Sequence, residues 1–332
     1  MKVTLAALVM LLSLTMPSLP PAAGVQQAKK VWRIGVVGLG PPTPEINAAL
    51  AAFVSGLAEH AHAVTTEYRW PEPDPLIRLS EEIVALRLDV LVFWGERALL
   101  TIPHRSELLS PPPAVFALYN ELRPRDLMWH FSTDKGIAGV TATTPALLTD
   151  QVRIIKEVVP GMSRLAILWD QSDAGSARAF SEAFAAADAA GLRPLGIEAG
   201  TATQLEPAIA AAVAGGANAV IVLASATSIS HASSVVALAA RYRVPAIYSL
   251  HEFAELGGLI SYGASFGKTV RRAAMYVDRI IRGADWPPTT TRGTLPIEPP
   301  RRLELVINLK TAKALGLAIP PSLLLRADRV IE

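Results

Sequence analysis

The sequence predicts an α/β protein made of two consecutive doubly wound units, each a parallel sheet with helices on both faces. Short apolar runs alternate with segments of helical period, the order that builds parallel sheets. The pattern starts afresh near Ala146 with no insertion large enough to form a third domain. The chain has 332 residues, of which 51% are hydrophobic and 18% charged, enough apolar surface to fill two cores.

In the first unit, Trp32 to Val37 is a buried strand that stops at Gly38. Thr43 is an N-cap and Pro44 suits a first turn, so a helix runs from Pro44 to His60 with Ile46, Leu50, Phe53, Val54 and Leu57 on one face. Val64 to Arg69 is the second strand, and Pro75 to Leu86 a helix with Leu76, Leu79, Ile83 and Leu86 on one stripe. Val90 to Trp94 and Ala114 to Leu118 are the third and fourth strands.

The second unit opens with a helix from Ala146 to Val159, ended by Pro160-Gly161. Strands follow at Leu165 to Trp169, Arg193 to Glu198 and Ala219 to Leu223, with short ones at Ala246 to Tyr248 and Leu259 to Tyr262. Helices fall at Ala174 to Ala190, Leu205 to Ala214, Ser230 to Arg241 and Val270 to Arg282. Trp286 to Pro300 reads as a linker or crossing segment, Leu303 to Asn308 as a late strand, and Thr311 to Leu315 as the start of the last helix. Periodicity leaves open whether these late elements edge the second unit or carry the chain back to the first.

Thirty-one basic residues stand against 29 acidic ones, a formal charge of +2. So even a balance creates no long-range basic field and argues against nucleic acid as a partner. With no cysteine, disulfides and thiolate chemistry are absent. Met1-Lys2, the apolar run Leu5 to Met16 and the small residues up to Gly24 form the three-part pattern of a secretory signal peptide over residues 1–24. The mature chain is then expected to begin between Gly24 and Lys30, in the periplasm.

In open parallel sheets, ligands sit beyond the carboxyl ends of the strands. Several apolar runs here end in aromatic or polar residues. The candidate ligand-binding residues on that ground are Trp94, Gly95, Tyr119 and Asn120 from the first unit, and Trp169, Asp170, Ser225, Thr227 and Tyr248 from the second. Trp and Tyr offer flat apolar faces with one polar handle. Ser225, Thr227 and helix N-termini could take a carboxylate, and Asp170 an amine or hydroxyl; Asp170 could instead cap the helix after it. Gly38-Leu39-Gly40 is no dinucleotide fingerprint, because Thr43 replaces the third glycine and Pro41-Pro42 remove two donors. The six histidines have no metal-ligand spacing, and no G-x-S-x-G occurs. Glu252 and Glu255, at i and i+3, could be a carboxylate pair or a solvated turn. No catalytic residue, metal or cofactor is expected.

The stretch Leu305-Val306-Ile307-Asn308-Leu309-Lys310-Thr311-Ala312-Lys313-Ala314-Leu315-Gly316-Leu317, followed by Ile319-Pro320-Pro321-Ser322-Leu323-Leu324 and Arg326-Ala327-Asp328, carries a specific signature. With Glu67-Tyr68-Arg69-Trp70, Val158-Val159-Pro160-Gly161, Pro245-Ala246-Ile247-Tyr248 and Gly257-Gly258-Leu259-Ile260-Ser261-Tyr262-Gly263, it resembles the ABC-transporter substrate-binding proteins that include tryptophan- and tyrosine-binding members. The resemblance implies a type I periplasmic-binding fold, two Rossmann-like lobes joined by three hinge crossings, binding a small molecule by hinge closure. It places lobe one at 31–145 plus 263–285 and lobe two at 146–262 plus 286–332. It also implies a monomer that hands its solute to an ABC permease in the inner membrane. A ligand-sensing subunit for a membrane kinase, or an exported transferase using the same cleft, are the alternatives. Family members often carry Gly-Thr and Gly-Asp-Pro loops after the third and fourth strands; here these read Trp94-Gly95-Glu96 and Tyr119-Asn120-Glu121.

Overall fold

Strand β1 (Trp32–Val37) is apolar on both faces and pairs in parallel with β2 (Val64–Arg69) on one side and β3 (Val90–Trp94) on the other. Strands β4 (Ala114–Leu118) and β5 (Ile137–Thr141) continue the same parallel sheet. Every residue of β3 and β4 is buried, as expected of a sheet covered on both faces. The computed structural model describes residues 30–60, 62–70, 83, 85–96, 98, 113–120, 137–283 and 297–332. The expected signal peptide and most of the expected helix at 75–86 lie outside them.

Helix α1 (Pro44–Ala58) begins where Thr43 Oγ1 accepts the Ile46 N–H, and buries Ile46, Phe53 and Leu57. After β5 the chain leaves for a second sheet. There α2 (Leu147–Val158), β6 (Arg164–Trp169), α3 (Ala174–Ala189), β7 (Arg193–Glu198), α4 (Ala202–Ala214), β8 (Ala219–Val222), α5 (Ala226–Ser230), α6 (Ala232–Arg241), β9 (Ala246–Leu250), α7 (Glu252–Glu255) and β10 (Ile260–Ala264) follow in turn. The expected helix at 230–241 is α6, starting two residues later, and the Ser225 capping box starts the separate short helix α5 ahead of it.

Helix α8 (Phe266–Ile281) follows β10 yet packs along α1 and over β3, β4 and β5 of the first sheet. Its amphipathic face supplies Val270, Ala273, Ala274 and Val277 to the core. Asp278 on α8 meets His62 Nε2 at 2.7 Å, so two histidines of no metal spacing serve instead to tie α8 to the α1–β2 turn. Strand β11 (Ile297–Glu298) then pairs with β5 in the first sheet. Finally β12 (Glu304–Asn308), α9 (Leu309–Leu315), α10 (Pro321–Leu324) and β13 (Arg329–Ile331) return to the second sheet, where β12 runs antiparallel to β10. The strand orders are β11-β5-β4-β3-β1-β2 and β13-β12-β10-β9-β8-β6-β7. This is the type I periplasmic-binding arrangement, with three crossings between the sheets.

Two expected lobe boundaries shift. Sheet two keeps β10 through Ala264, one residue past Gly263, and sheet one claims Ile297–Glu298, so the last crossing comes after Glu298, at the far end of the expected crossing segment 286–300. A two-residue strand has no periodicity of its own; pairing with β5 defines it.

The second crossing is fixed by a cap. Ser265 Oγ accepts the Lys268 N–H at 3.0 Å and donates to Glu252 Oε1 at 2.7 Å, joining the start of α8 to α7. Ser265→Ala is expected to cost about 1 kcal/mol, read as a fall of roughly 2–4 °C in thermal denaturation.

Candidate functional site

The carboxyl ends of the two sheets face each other across a closed seam. Lobe one contributes the loop after β3. Gly95 holds φ +76°, and a Cβ there would stand 2.2 Å from the Tyr119 ring, so only glycine allows the two loops to nest. The turn delivers Glu96, 3% exposed, whose Oε1 accepts the Asn120 N–H at 2.8 Å. Asn120 Nδ2 donates across the seam to the Ala224 carbonyl at 3.1 Å. Tyr119 also crosses, its hydroxyl donating to Asp173.

Lobe two meets these groups with the N-termini of α3 and α5. Asp173 is the N-cap of α3, accepting from the Ser176 N–H at 3.1 Å, and is fully buried. Gly175 lies directly against Glu96, whose Cδ is 2.8 Å from where a Gly175 Cβ would be. Burial, reinforced by the facing Asp173 carboxylate, pushes the Glu96 carboxyl up to about 8. Burial likewise raises Asp173, and burial together with Asp173 and Glu96 raises the Tyr119 phenol. Glu96 Oε2 has no hydrogen-bond partner.

Beside the seam opens a cavity of about 340 Å³ between the lobes. Its walls are α1 and the start of α8 from one side, and α5, α6 and α7 from the other. Ala48, Ala49, Ile229, Ala232, Leu250, Phe253, Leu256 and Phe266 make it apolar. Among the described residues, the charged ones lining it are Glu45, Glu252 and Glu255, with no lysine, arginine or histidine. Phe266 joins cavity to seam, its ring meeting those of Trp94 and Tyr119 at 6.0 and 6.4 Å.

The nine residues singled out from the sequence divide. Gly95, Tyr119 and Asn120 meet at the seam. Trp94 sits behind it, 0% exposed and enclosed by Phe53, Tyr68 and Phe266. Tyr248 is equally interior, stacked on Phe253 at 4.9 Å. Trp169 presents no flat face to the seam. Its ring stacks on Phe180 of α3 at 4.3 Å, on the opposite sheet face from Leu168, because side chains alternate along a strand. Asp170 and Thr227 are engaged inside lobe two: Thr227 Oγ1 lies 2.9 Å from the Gly200 carbonyl and 3.2 Å from Asp170 Oδ2, and Asp170 Oδ1 accepts from the Ser172 N–H and hydroxyl. The cap that Asp170 could have formed is made by Asp173. Ser225 Oγ caps α5, accepting from the Ser228 N–H at 3.0 Å. Glu96, Asp173 and Phe266 were not among the nine candidates, and Glu252 entered only through its i, i+3 spacing with Glu255. Glu96 had a sequence signal of its own, a carboxylate two residues beyond a wholly apolar strand. Gly38, in the abandoned dinucleotide motif, makes room for Tyr68, whose hydroxyl donates to the Gly40 carbonyl at 2.9 Å.

Two α/β lobes linked by three crossings, with their strand ends meeting over an interlobe cavity, define a hinged clamp for a small solute. The sequence profile of the ABC transporter substrate binding proteins matches residues 72–331, and the chain belongs to that family. Proteins of this family bind a small-molecule substrate for an ABC permease and are not enzymes. A search among curated proteins returns no match. Among solved structures, a conserved domain protein from Vibrio cholerae is 20% identical with a TM-score of 0.73, covering 91% of this chain and all of its own. An ABC domain from Streptococcus pneumoniae in complex with L-Trp is 21% identical with a TM-score of 0.73 and the same coverage. A solute binding protein from Burkholderia multivorans is 12% identical with a TM-score of 0.60, covering 83% of this chain and 99% of its own. Among the described residues no helix is long and apolar enough to cross a membrane.

Proposed function

We propose that this protein is the periplasmic solute-binding component of an ABC importer, exported by a cleaved signal peptide at residues 1–24. It acts as a monomer, closing two lobes on a small molecule with an apolar or aromatic part. The carrying observation is the apolar cavity of about 340 Å³ between the lobes, adjoining a seam built from both sets of strand ends. Lobe one comprises residues 31–145, the helix α8 and the segment around β11; lobe two comprises the rest of the mature chain. The ligand site is formed by Gly95, Glu96, Tyr119 and Asn120 against Asp173 and the Ser225–Thr227 turn, with Trp94 and Tyr248 as packed walls. A ligand touching both lobes favours the closed state by its differential affinity, and the closed form docks on the permease. The L-Trp held by the pneumococcal neighbour makes aromatic amino acids and their relatives the first solutes to try.

The test is a thermal-shift screen of the mature protein against amino acids, aromatic acids, aromatic amines and sugars, followed by small-angle scattering with each hit. A true ligand at 100-fold its Kd adds about 2.7 kcal/mol to stability and lowers the radius of gyration. A screen without a single hit in any class would overturn the solute-binding reading.

A further inference from the structure

We propose that the ligand is an organic cation, its ammonium group held between Glu96 of lobe one and Asp173 of lobe two and its apolar body lodged in the cavity beside them. This rests on the solute-binding reading and adds the charge that the site selects.

Glu96 and Asp173 come from opposite lobes and converge only when the seam is shut, at 3% and 0% exposure. Two buried carboxylates cannot both stay ionised side by side without a countercharge. Among the described residues no hydrogen bond or ion pair brings a cation to either group. Glu96 accepts from the Asn120 N–H, and Asp173 from the Tyr119 hydroxyl and the Ser176 and Ala226 N–H groups, all neutral donors. Among the described residues, the other charged groups nearby are Asp170, which adds to the negative field at Asp173, and Arg178 and Glu182 of α3. Arg178 lies on α3 beside Gly175 and Asn120 and has an interaction of its own. Glu96 Oε2 is buried without a hydrogen-bond partner, on a side chain that packs against Gly175 of lobe two. An ammonium group brings three donors and one positive charge, enough to satisfy that oxygen and reach Asp173 at once.

The cavity makes the same demand independently. Its walls are apolar, and among the described residues the charged side chains on them are Glu45, Glu252 and Glu255, of which Glu255 is paired with Arg329. Glu252 Oε2 is a second buried oxygen without a partner. A carboxylate-bearing solute would meet Glu45 and Glu252 there, neither of which has a lysine or arginine partner among the described residues, whereas an amine with an aromatic body would match both the walls and the field. Because the two seam carboxylates meet only on closure, the cation binds the closed state better than the open one, which is what hinge closure requires.

Isothermal titration of the mature protein with three indole probes of similar size decides the matter: tryptamine (cationic), tryptophol (neutral) and indole-3-propionate (anionic). The expected result is tryptamine binding at least tenfold tighter than tryptophol, with indole-3-propionate weakest. Glu96→Gln and Asp173→Asn should each erase the tryptamine preference while tryptophol still binds and circular dichroism still shows a folded chain. Glu206→Gln, an exposed carboxylate paired with Arg241, should change nothing. Equal or tighter binding of the neutral or anionic probe overturns the cation, as does a preference that survives both seam variants. If the wider screen yields only neutral or anionic hits, the cation falls and the solute-binding reading stands; if no class binds, both fall.

Discussion

Trp94→Ala should destabilise the protein by about 3–5 kcal/mol, the cost of deleting a large aromatic from a close-packed interior. Trp94 ends β3 and has no solvent exposure. Its ring meets Phe53 of α1 edge-on at 6.0 Å, Tyr68 of β2 at 5.9 Å and Phe266 of α8 edge-on at 6.0 Å. It therefore joins the first sheet to both helices on that face, one of which arrives from lobe two. The cavity left behind cannot collapse readily, because a sheet and two helices frame it. Trp94→Phe should cost less than half as much. It keeps most of the apolar contact and removes an indole N–H that has no partner, itself a burden of roughly 1–3 kcal/mol. Urea denaturation of the two variants checks this. A loss below about 1 kcal/mol for the alanine variant would mean that the ring faces an open cleft and packs nothing.

The second large effect is a pH dependence centred on Glu96. Its carboxyl is raised by burial and by Asp173 to about 8, against an ordinary value near 4.5. The closed protein therefore holds a proton that the unfolded chain releases. A raised acid adds nothing unfavourable below pH 4.5, and stability falls as pH climbs from there toward 8. The slope is at most about 1.4 kcal/mol per pH unit, shared with Asp173, since the pair titrates as one unit. Parting the lobes rehydrates both carboxylates, so part of the penalty emerges as opening rather than unfolding. The ligand-free protein should lose stability and gain radius of gyration between pH 5 and 8. Glu96→Gln, which needs no proton to stay buried, should flatten both profiles and be more stable at pH 7 by on the order of 2 kcal/mol. Chemical denaturation and small-angle scattering across that range provide the check. A parent profile as flat as that of the variant would show that the pair is not buried together in solution.

Both effects depend on how far position along a strand can be read before the fold is known. Strand ends were legible: β3, β4, β6 and β9 end at or within two residues of the positions that periodicity assigns them. The use of those ends was not. Trp94 and Tyr248 looked like ligand-facing aromatics and are core, while Trp169 stacks on Phe180 behind its own sheet. An aromatic at the end of an apolar run has the same local sequence whether it faces a cleft or a helix. Its direction is set by the parity of the pleat and by the helix that covers it. Strands β5, β11 and β13 escaped the sequence reading for a related reason. They are short or flanked by polar chain, and it is pairing that defines them.

By itself the sequence determined the α/β class, the two units and their order, the helix cap at Thr43, and membership of a family of solute-binding proteins. These rest on local propensity, side-chain periodicity and contiguous motifs, which operate within a few turns of chain. The family resemblance assigned the span of α8 to the first lobe; only the tertiary structure decided that the helix lies along α1, that Ile297–Glu298 extends the first sheet, and that Glu96 and Asp173, 77 positions apart in the chain, share one buried seam. Those outcomes depend on which distant surfaces bury each other. Burial energy carries no label of sequence separation, so no local pattern could announce them.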